Sequence, residues 1–245
     1  FALTRDLSGQ KTGQVKLSAL LNDRGGIIDD LTVYKMADDF FMLVTNATTQ
    51  EADFQRIQAI LDQKKFNCRM EDISGKTGKL DLQGPRAEEI LQILADADLK
   101  SIRFYHFVES PVAGIPAIIS RSGYTGEDGI EITLPASQAI DFINELVGAG
   151  ISPIGIGARD TLRLEAGFNL YGFDMNEQIS PLVAGMNNVI SWEPSSRNFI
   201  GRRALQAQLD AGLNEKLVGL VLEERGVLRA GQPVRIDNNT SGVIT

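Results

Sequence analysis

The sequence predicts an α+β fold of mixed and antiparallel sheets. Short β-branched and aromatic runs alternate with helix-like stripes. Several of those runs are joined by glycine-containing turns too short for a parallel crossover. No 20–50-residue repeat and no low-complexity tract interrupts this pattern across the 245 residues.

The elements follow in order. Val15 to Leu21 is strand-like and runs into a Gly25-Gly26 turn. Ile27 to Tyr34 is rich in β-branched residues, and Ala37-Asp-Asp39 leads to a further run, Phe40 to Thr45, so the segment reads as a hairpin. A helix is expected from Thr48, where Thr48-x-x-Glu51 matches a capping box and Phe54, Ile57 and Leu61 share one face. Lys79 to Leu82 is a strand ended by Gly84-Pro85, and Ala87 to Ala95 a helix with Ile90, Leu91 and Leu94 inward. Arg103 to Val108, Ala117 to Ser120 and Ile130 to Leu134 read as strands, and Pro135 to Val147 as a helix stopping at Gly148. The stretch from about 48 to 150 therefore resembles an α+β, ferredoxin-like sandwich. Beyond it come a helix near Ala158 to Ala166, a loop-rich stretch to about 198, a helix from Arg202 to Leu209 and a strand from Leu217 to Leu222. No clean linker is visible, so the outer segments are expected to close around the middle one.

Composition narrows function by exclusion. With 24 Lys and Arg against 32 Asp and Glu, the net charge is −8, a poor basis for non-specific nucleic-acid binding. No apolar run approaches the length of a membrane span. A single cysteine, Cys68, excludes an intramolecular disulfide and a cysteine zinc cluster, and a single histidine, His106, argues against multi-histidine metal sites and most histidine triads. Cys68 reads as a small core residue, His106 as a packed sheet residue, and Arg202-Arg203 as a solvated helix face. The chain starts at Phe1 and stops within a strand-like run at Thr245, which reads as a fragment.

Three stretches can carry chemistry. On the first hairpin strand Asp30, Thr32 and Tyr34 share one face, a floor for a cationic or N–H-bearing ligand, although an Asp bonding the glycine turn explains the acid equally simply. Tyr124-Thr-Gly-Glu-Asp-Gly-Ile-Glu131 is a tight turn across which Tyr124 and Glu131 are expected to meet. Glu131 in an apolar strand needs donors, from a ligand with paired N–H groups or from solvent. Gly155 to Gly167 opens a helix behind glycines but lacks the dinucleotide fingerprint. Arg159 near that helix's N-terminus is disfavoured by the dipole, which calls for a carboxylate partner from the protein or a ligand.

These same motifs resemble the aminomethyltransferase (T-protein) family of the glycine cleavage system. The matching stretches are Leu21 to Leu31, Leu82-Gln-Gly-Pro85, Gly123 to Glu131, Gly157 to Gly167 with Tyr171-Gly-x-Asp174, and Phe199-Ile-Gly-Arg-Arg203. They lie in family order over nearly the whole chain. The resemblance implies a tetrahydrofolate site amid three domains, a lipoylated H-protein as partner, and transfer of the lipoyl-borne aminomethyl group to give 5,10-methylenetetrahydrofolate and ammonia, with no metal and no protein nucleophile. By motif, Asp30 is the key acid, preferred over Asp29. Tyr124 and Glu131 match pterin-binding positions, Val44 and Asn46 pocket-lining positions, and Arg159 a folate-contacting arginine. The implied domains are 1–47 with 150–215 (discontinuous, folate-binding), 48–149 (ferredoxin-like), and 216–245 (the start of a C-terminal β-barrel). The location implied is cytoplasmic in a bacterium and mitochondrial in a eukaryote. Asn187-Asn188 departs from the family's Gly-Trp, and the family's N-terminal segment has no counterpart here. A folate domain of the dimethylglycine or sarcosine oxidase type and a non-catalytic folate-binding module are the competing readings.

Overall fold

The computed structural model describes residues 1–237 and 239–245. Its first sheet is antiparallel, in the order β1 (Val15–Leu21), β2 (Ile27–Lys35), β3 (Phe41–Val44). The β1–β2 turn needs its glycines. Gly25 has φ 84°, and a Cβ on Gly26 would stand 1.8 Å from the carbonyl oxygen of Glu177. The Asn22 side-chain oxygen accepts from the backbone N–H of Arg24 and Gly26, at 2.9 and 3.0 Å, and fixes the loop.

Side chains along β2 alternate. Leu31 and Val33 pack with Leu20 and with Ile57 of α1 (Gln50–Lys64), which lies against that face. The expected Thr48–Glu51 capping box does not form. The N-cap is Thr49, and its hydroxyl donates to the Asp29 carboxylate at 2.9 Å and to the Asn46 carbonyl at 3.1 Å, not accepting from the helix. The charge-assisted bond to the buried carboxylate fixes the hydroxyl's orientation, and in it the oxygen accepts no N–H of the helix.

The second sheet is antiparallel in the order β4-β7-β6-β5, from β4 (Thr77–Gln83), β5 (Phe107–Glu109), β6 (Ile118–Ser120) and β7 (Gly129–Pro135). Helices α2 (Ala87–Gln92) and α3 (Ala139–Gly148) bury Ala87, Leu91, Phe142 and Leu146 against Leu82, Ile119, Ile130 and Ile132. Each fully buried aliphatic or aromatic side chain contributes roughly 1.5–3 kcal/mol. A ferredoxin-like order would place a helix between the last two strands. Here α3 follows β7, because the segment between β6 and β7 holds only the Ser122–Asp128 turn.

The two sheets meet along a seam. Buried Val15, Tyr34 and Phe107 pack there with Met42, Val44, Tyr105 and Ile118. Backbone bonds from Val15 N–H to the Tyr105 carbonyl and from Phe107 N–H to the Gly13 carbonyl, each 2.8 Å, stitch the entry of β1 to that of β5.

Helices α4 (Ile156–Glu165) and α5 (Arg202–Ala211) flank the loop-rich stretch, which packs Met175, Leu182, Val189 and Phe199 onto Ala19, Leu21 and Ile27. Leu217 to Leu222 is not a strand: a single backbone bond, from Leu217 N–H to the Val183 carbonyl at 2.8 Å, holds its start, no ladder forms along it among the described residues, and Val221 is 91% exposed. A small hairpin, β8 (Pro233–Ile236) and β9 (Asn239–Val243), ends the chain, and no closed barrel forms among the described residues. Cys68 is exposed and not in a core, because the segment after α1 runs over the surface. Arg202 is half-buried, donating to the Trp192 carbonyl at 2.9 Å with its guanidinium over the Trp192 ring, while Arg203 is exposed. His106 is half-buried, with Nδ1 3.1 Å from the Phe104 carbonyl oxygen.

Candidate functional site

Strand alternation sends the adjacent acids Asp29 and Asp30 to opposite faces of β2. Asp29 shares the α1 side with Leu31 and Val33 and is fully buried. Its oxygens accept from Asn46 N–H at 3.1 Å, Asn46 Nδ2 at 2.8 Å and Thr49 Oγ1 at 2.9 Å. Asp30 shares the seam side with Thr32 and Tyr34 and is half-buried. Since Thr32 pairs with Val44, Asn46 falls opposite Asp30, and its Nδ2 reaches Asp30 Oδ1 at 3.1 Å. One amide therefore holds both acids. Burial, and then the charge of Asp29, push the Asp30 carboxyl up to about 6, against a lowering by the Asn46 bond.

Glu131 faces the same seam from the second sheet. It pairs with Asp81 of β4 on one side and Ser120 of β6 on the other. Its Oε1 accepts from Lys79, and its Oε2 from Ser122 Oγ at 2.6 Å and from the Tyr34 hydroxyl at 3.4 Å. Tyr34, from the same β2 face as Asp30, thus spans the two walls. Burial first and Glu131 second push its hydroxyl up to about 12, so it remains a donor at neutral pH. Burial lowers the Lys79 ammonium, but Glu131 and Asp81 together overcome that and hold it above its ordinary value. Tyr105 stands between the walls. Burial raises its hydroxyl first, then the charges of Glu131 and Asp30. Its backbone is left-handed at φ 56°, uncommon for a tyrosine, and is clamped by bonds to Arg121 and Val15.

Tyr124 and Glu131 do not meet across a ladder. Strand β6 ends at Ser120, so Ser120 occupies the place beside Glu131. Tyr124 turns away, donates to the Asn169 carbonyl and stacks on Phe168 with ring centres 5.7 Å apart. Arg159 has no carboxylate partner among the described residues. Its guanidinium lies 4.6 Å from the Tyr124 ring centre, exposed at the start of α4. The ion pair of that helix belongs to buried Arg163, which binds Asp160 and Asp174. Of the six candidates, Asp30, Val44, Asn46 and Glu131 line one seam. Tyr124 and Arg159 form an adjoining stack, where burial first and the Asp30 charge after it push the Tyr124 hydroxyl up to about 12, against the lowering by Arg163 and Arg159.

Lys79 and Tyr105 are site residues that the motifs do not mark. Lys79 was legible as a lysine two residues before Asp81 on a strand, hence on the same face. Tyr105 has no local signal.

Fold and site together define an α+β protein whose two antiparallel sheets bring acids and tyrosines to a common seam. The comparisons with known proteins fit that class. Residues 2–194 match the model of the GCVT N-terminal domain. The chain is 48% identical over 248 residues to an aminomethyltransferase of Pseudomonas syringae pv. tomato, covering 99% of this chain and 67% of the relative. It is 43% identical over 246 residues to an aminomethyltransferase of Listeria monocytogenes serotype 4b, covering 100% and 67%. Among solved structures it matches the glycine cleavage system aminomethyltransferase T of Bartonella henselae with a TM-score of 0.74 at 36% identity, over 86% of this chain and 57% of that one. The chain belongs to the GCVT family, the aminomethyltransferases of the glycine cleavage system. It spans about two thirds of the length of these curated relatives. Among the described residues no helix is long and apolar enough to cross a membrane.

Proposed function

We propose that the protein is a tetrahydrofolate-dependent aminomethyltransferase of glycine degradation. It takes the aminomethyl group from the lipoyl arm of an H-protein, releases ammonia and forms 5,10-methylenetetrahydrofolate, in the cytoplasm as for a bacterial enzyme. The observation that carries this reading is the convergence of Asp30 and Glu131, from different sheets, on the seam that Tyr34 bridges. Relatives named aminomethyltransferase along the whole chain speak against the oxidase-type and non-catalytic readings. The three-part division at residues 48, 150 and 216 is kept with this reading, the three separate sheets supporting it.

The residue types suit the chemistry. Glu131 accepts from the paired N–H groups of an aminopyrimidine edge. Protein donors already occupy three of its four lone-pair sites, so a ligand bringing two N–H groups displaces one of them, and the longest bond, from Tyr34, is the first to yield. Asp30 holds the reactive nitrogens. Its charge stabilises an iminium-like cation as ammonia leaves, and with its carboxyl at about 6 it exchanges a proton near neutrality. Val44 and Tyr105 form the apolar flanks, and Arg159 on Tyr124 offers a cation to a carboxylate or ring oxygen of the folate. Aligning two carriers in one site supplies much of the acceleration. The test is the full-length protein mixed with aminomethylated, lipoylated H-protein and tetrahydrofolate. Ammonia and methylenetetrahydrofolate are expected in equal amounts. Folate binding without either product would mark a binding module instead.

A further inference from the structure

Behind Asp29, on the α1 side of β2, lies an acid that the reading above does not use. Asp53, in the first turn of α1, is fully buried, and among the described residues neither carboxyl oxygen has a hydrogen-bond donor. Its backbone N–H donates to the Thr49 carbonyl at 2.9 Å, and the Thr49 hydroxyl donates to Asp29, so the two acids flank one threonine. The donors nearby are already committed, since Asn46 N–H, Asn46 Nδ2 and the Thr49 hydroxyl all point at Asp29. The groups acting on Asp53 are Asp29 and Asp30 of β2 and Thr49 at the helix start, with the Tyr171 hydroxyl affected from the loop side; the nearest cation along α1 is Arg56, one turn on, whose buried Nε has no partner among the described residues and which makes no ion pair with Asp53. A carboxylate in that setting is an unpaired charge beside another carboxylate, whereas a neutral carboxyl brings its own donor.

We propose that Asp53 is a positioning residue of the folate site: it carries a proton donated to Asp29, and Asp29, so held, fixes the Asn46 amide that orients Asp30. The inference rests on the proposed folate reading only for its effect on turnover. From the threonine that Asp53 and Asp29 flank, the contacts run Asp29 to Asn46 and Asn46 to Asp30 Oδ1, and they cross β2 from its α1 face to its seam face. Burial first, then Asp29, raise the Asp53 carboxyl to about 8, against the helix N-terminus, which favours charge.

The experiment is carbon NMR of aspartate carboxyls in the full-chain protein from pH 4 to 9, with turnover measured on the same samples. Wild type is expected to show one aspartate still neutral at pH 7, absent in Asp53→Asn. Asparagine keeps a donor toward Asp29, so that variant retains the Asp30 titration and about a third or more of turnover. Asp53→Leu lacks the donor, displaces the Asp30 midpoint, and lowers kcat about tenfold or more while KM for tetrahydrofolate stays within about threefold. No neutral aspartate at pH 7 in the wild type overturns the proposal, as does a leucine variant whose Asp30 titration matches that of the asparagine variant. If no sample forms methylenetetrahydrofolate, the functional reading fails, and the carboxyl signals still decide the proton.

Discussion

Lys79 is the only cation in contact with Glu131 among the described residues, and its removal is the sharpest test of how the site is built. Asp81 and Glu131 stand directly opposite each other on β4 and β7, an arrangement that is repulsive by itself. Lys79, two residues before Asp81 on the same face, has Nζ 2.8 Å from Asp81 Oδ1 and also donates to Glu131. The side chains are 29% exposed for Lys79, 31% for Asp81 and 13% for Glu131, between the surface and buried regimes. One contact pair at an effective dielectric of 20 is worth about 4 kcal/mol before desolvation. Burying the ammonium and solvent screening offset much of that for the two pairs. Lys79→Met is therefore expected to cost about 2–3 kcal/mol, less than breaking a wholly buried pair and more than losing a surface one. In urea this moves the unfolding midpoint down by about 1 M. Adding Asp81→Asn should recover half or more of the loss, because it removes the repulsion that Lys79 neutralises. Since Lys79 is held above its ordinary 10.5, its contribution is full below that pH and is lost as pH rises through the higher folded value. Equal stability of Lys79→Met and wild type, or losses that simply add in the double variant, would refute the reasoning.

Two further substitutions separate catalysis from binding. Asp30→Asn should lower kcat by about a hundredfold or more and change tetrahydrofolate affinity far less, and the rise of wild-type turnover through pH about 6 should disappear with it. Because the folded carboxyl is raised, its proton is held more tightly in the native state. Wild-type stability therefore falls between about pH 4 and 6, and the asparagine variant should be more stable at pH 8, by about 2–3 kcal/mol at most, in thermal or urea unfolding. Glu131→Ala should weaken tetrahydrofolate binding by about tenfold to a hundredfold in calorimetry, since it leaves ligand donors unpaired, with a smaller effect on kcat at saturation.

The parts legible in the sequence were those decided locally. The hairpin of β1 and β2 shows in the period-two pattern around Gly25-Gly26, and the same pattern placed Asp30, Thr32 and Tyr34 on one face before any partner was known. Helices α3, α4 and α5 follow from apolar spacing and stop signals. What was not legible depends on contacts distant in the chain. The Thr49 hydroxyl is claimed by Asp29, and no pattern within α1 reveals a buried acid on another element. Tyr124 was assigned to the wrong neighbour because a strand end cannot be read to the residue, and ending β6 at Ser120 turns Tyr124 toward Phe168 and Asn169. Leu217 to Leu222 has a strand's composition, but a strand is defined by a ladder, and among the described residues it makes only one backbone bond, from Leu217 to Val183. Family motifs reached Asp30 and Glu131, and the packing of Tyr34 and Phe107, with ring centres 5.2 Å apart, explains why those two acids, on opposite walls, face one seam.

The most direct measurement is a crystal structure of the full-length protein with a stable reduced folate. The account predicts pterin density in the seam between the two sheets, its aminopyrimidine edge on Glu131 and its reactive nitrogens beside Asp30, with the Tyr34–Glu131 bond lengthened or broken. Density for the pterin anywhere else, with Asp30 and Glu131 both untouched, would contradict it.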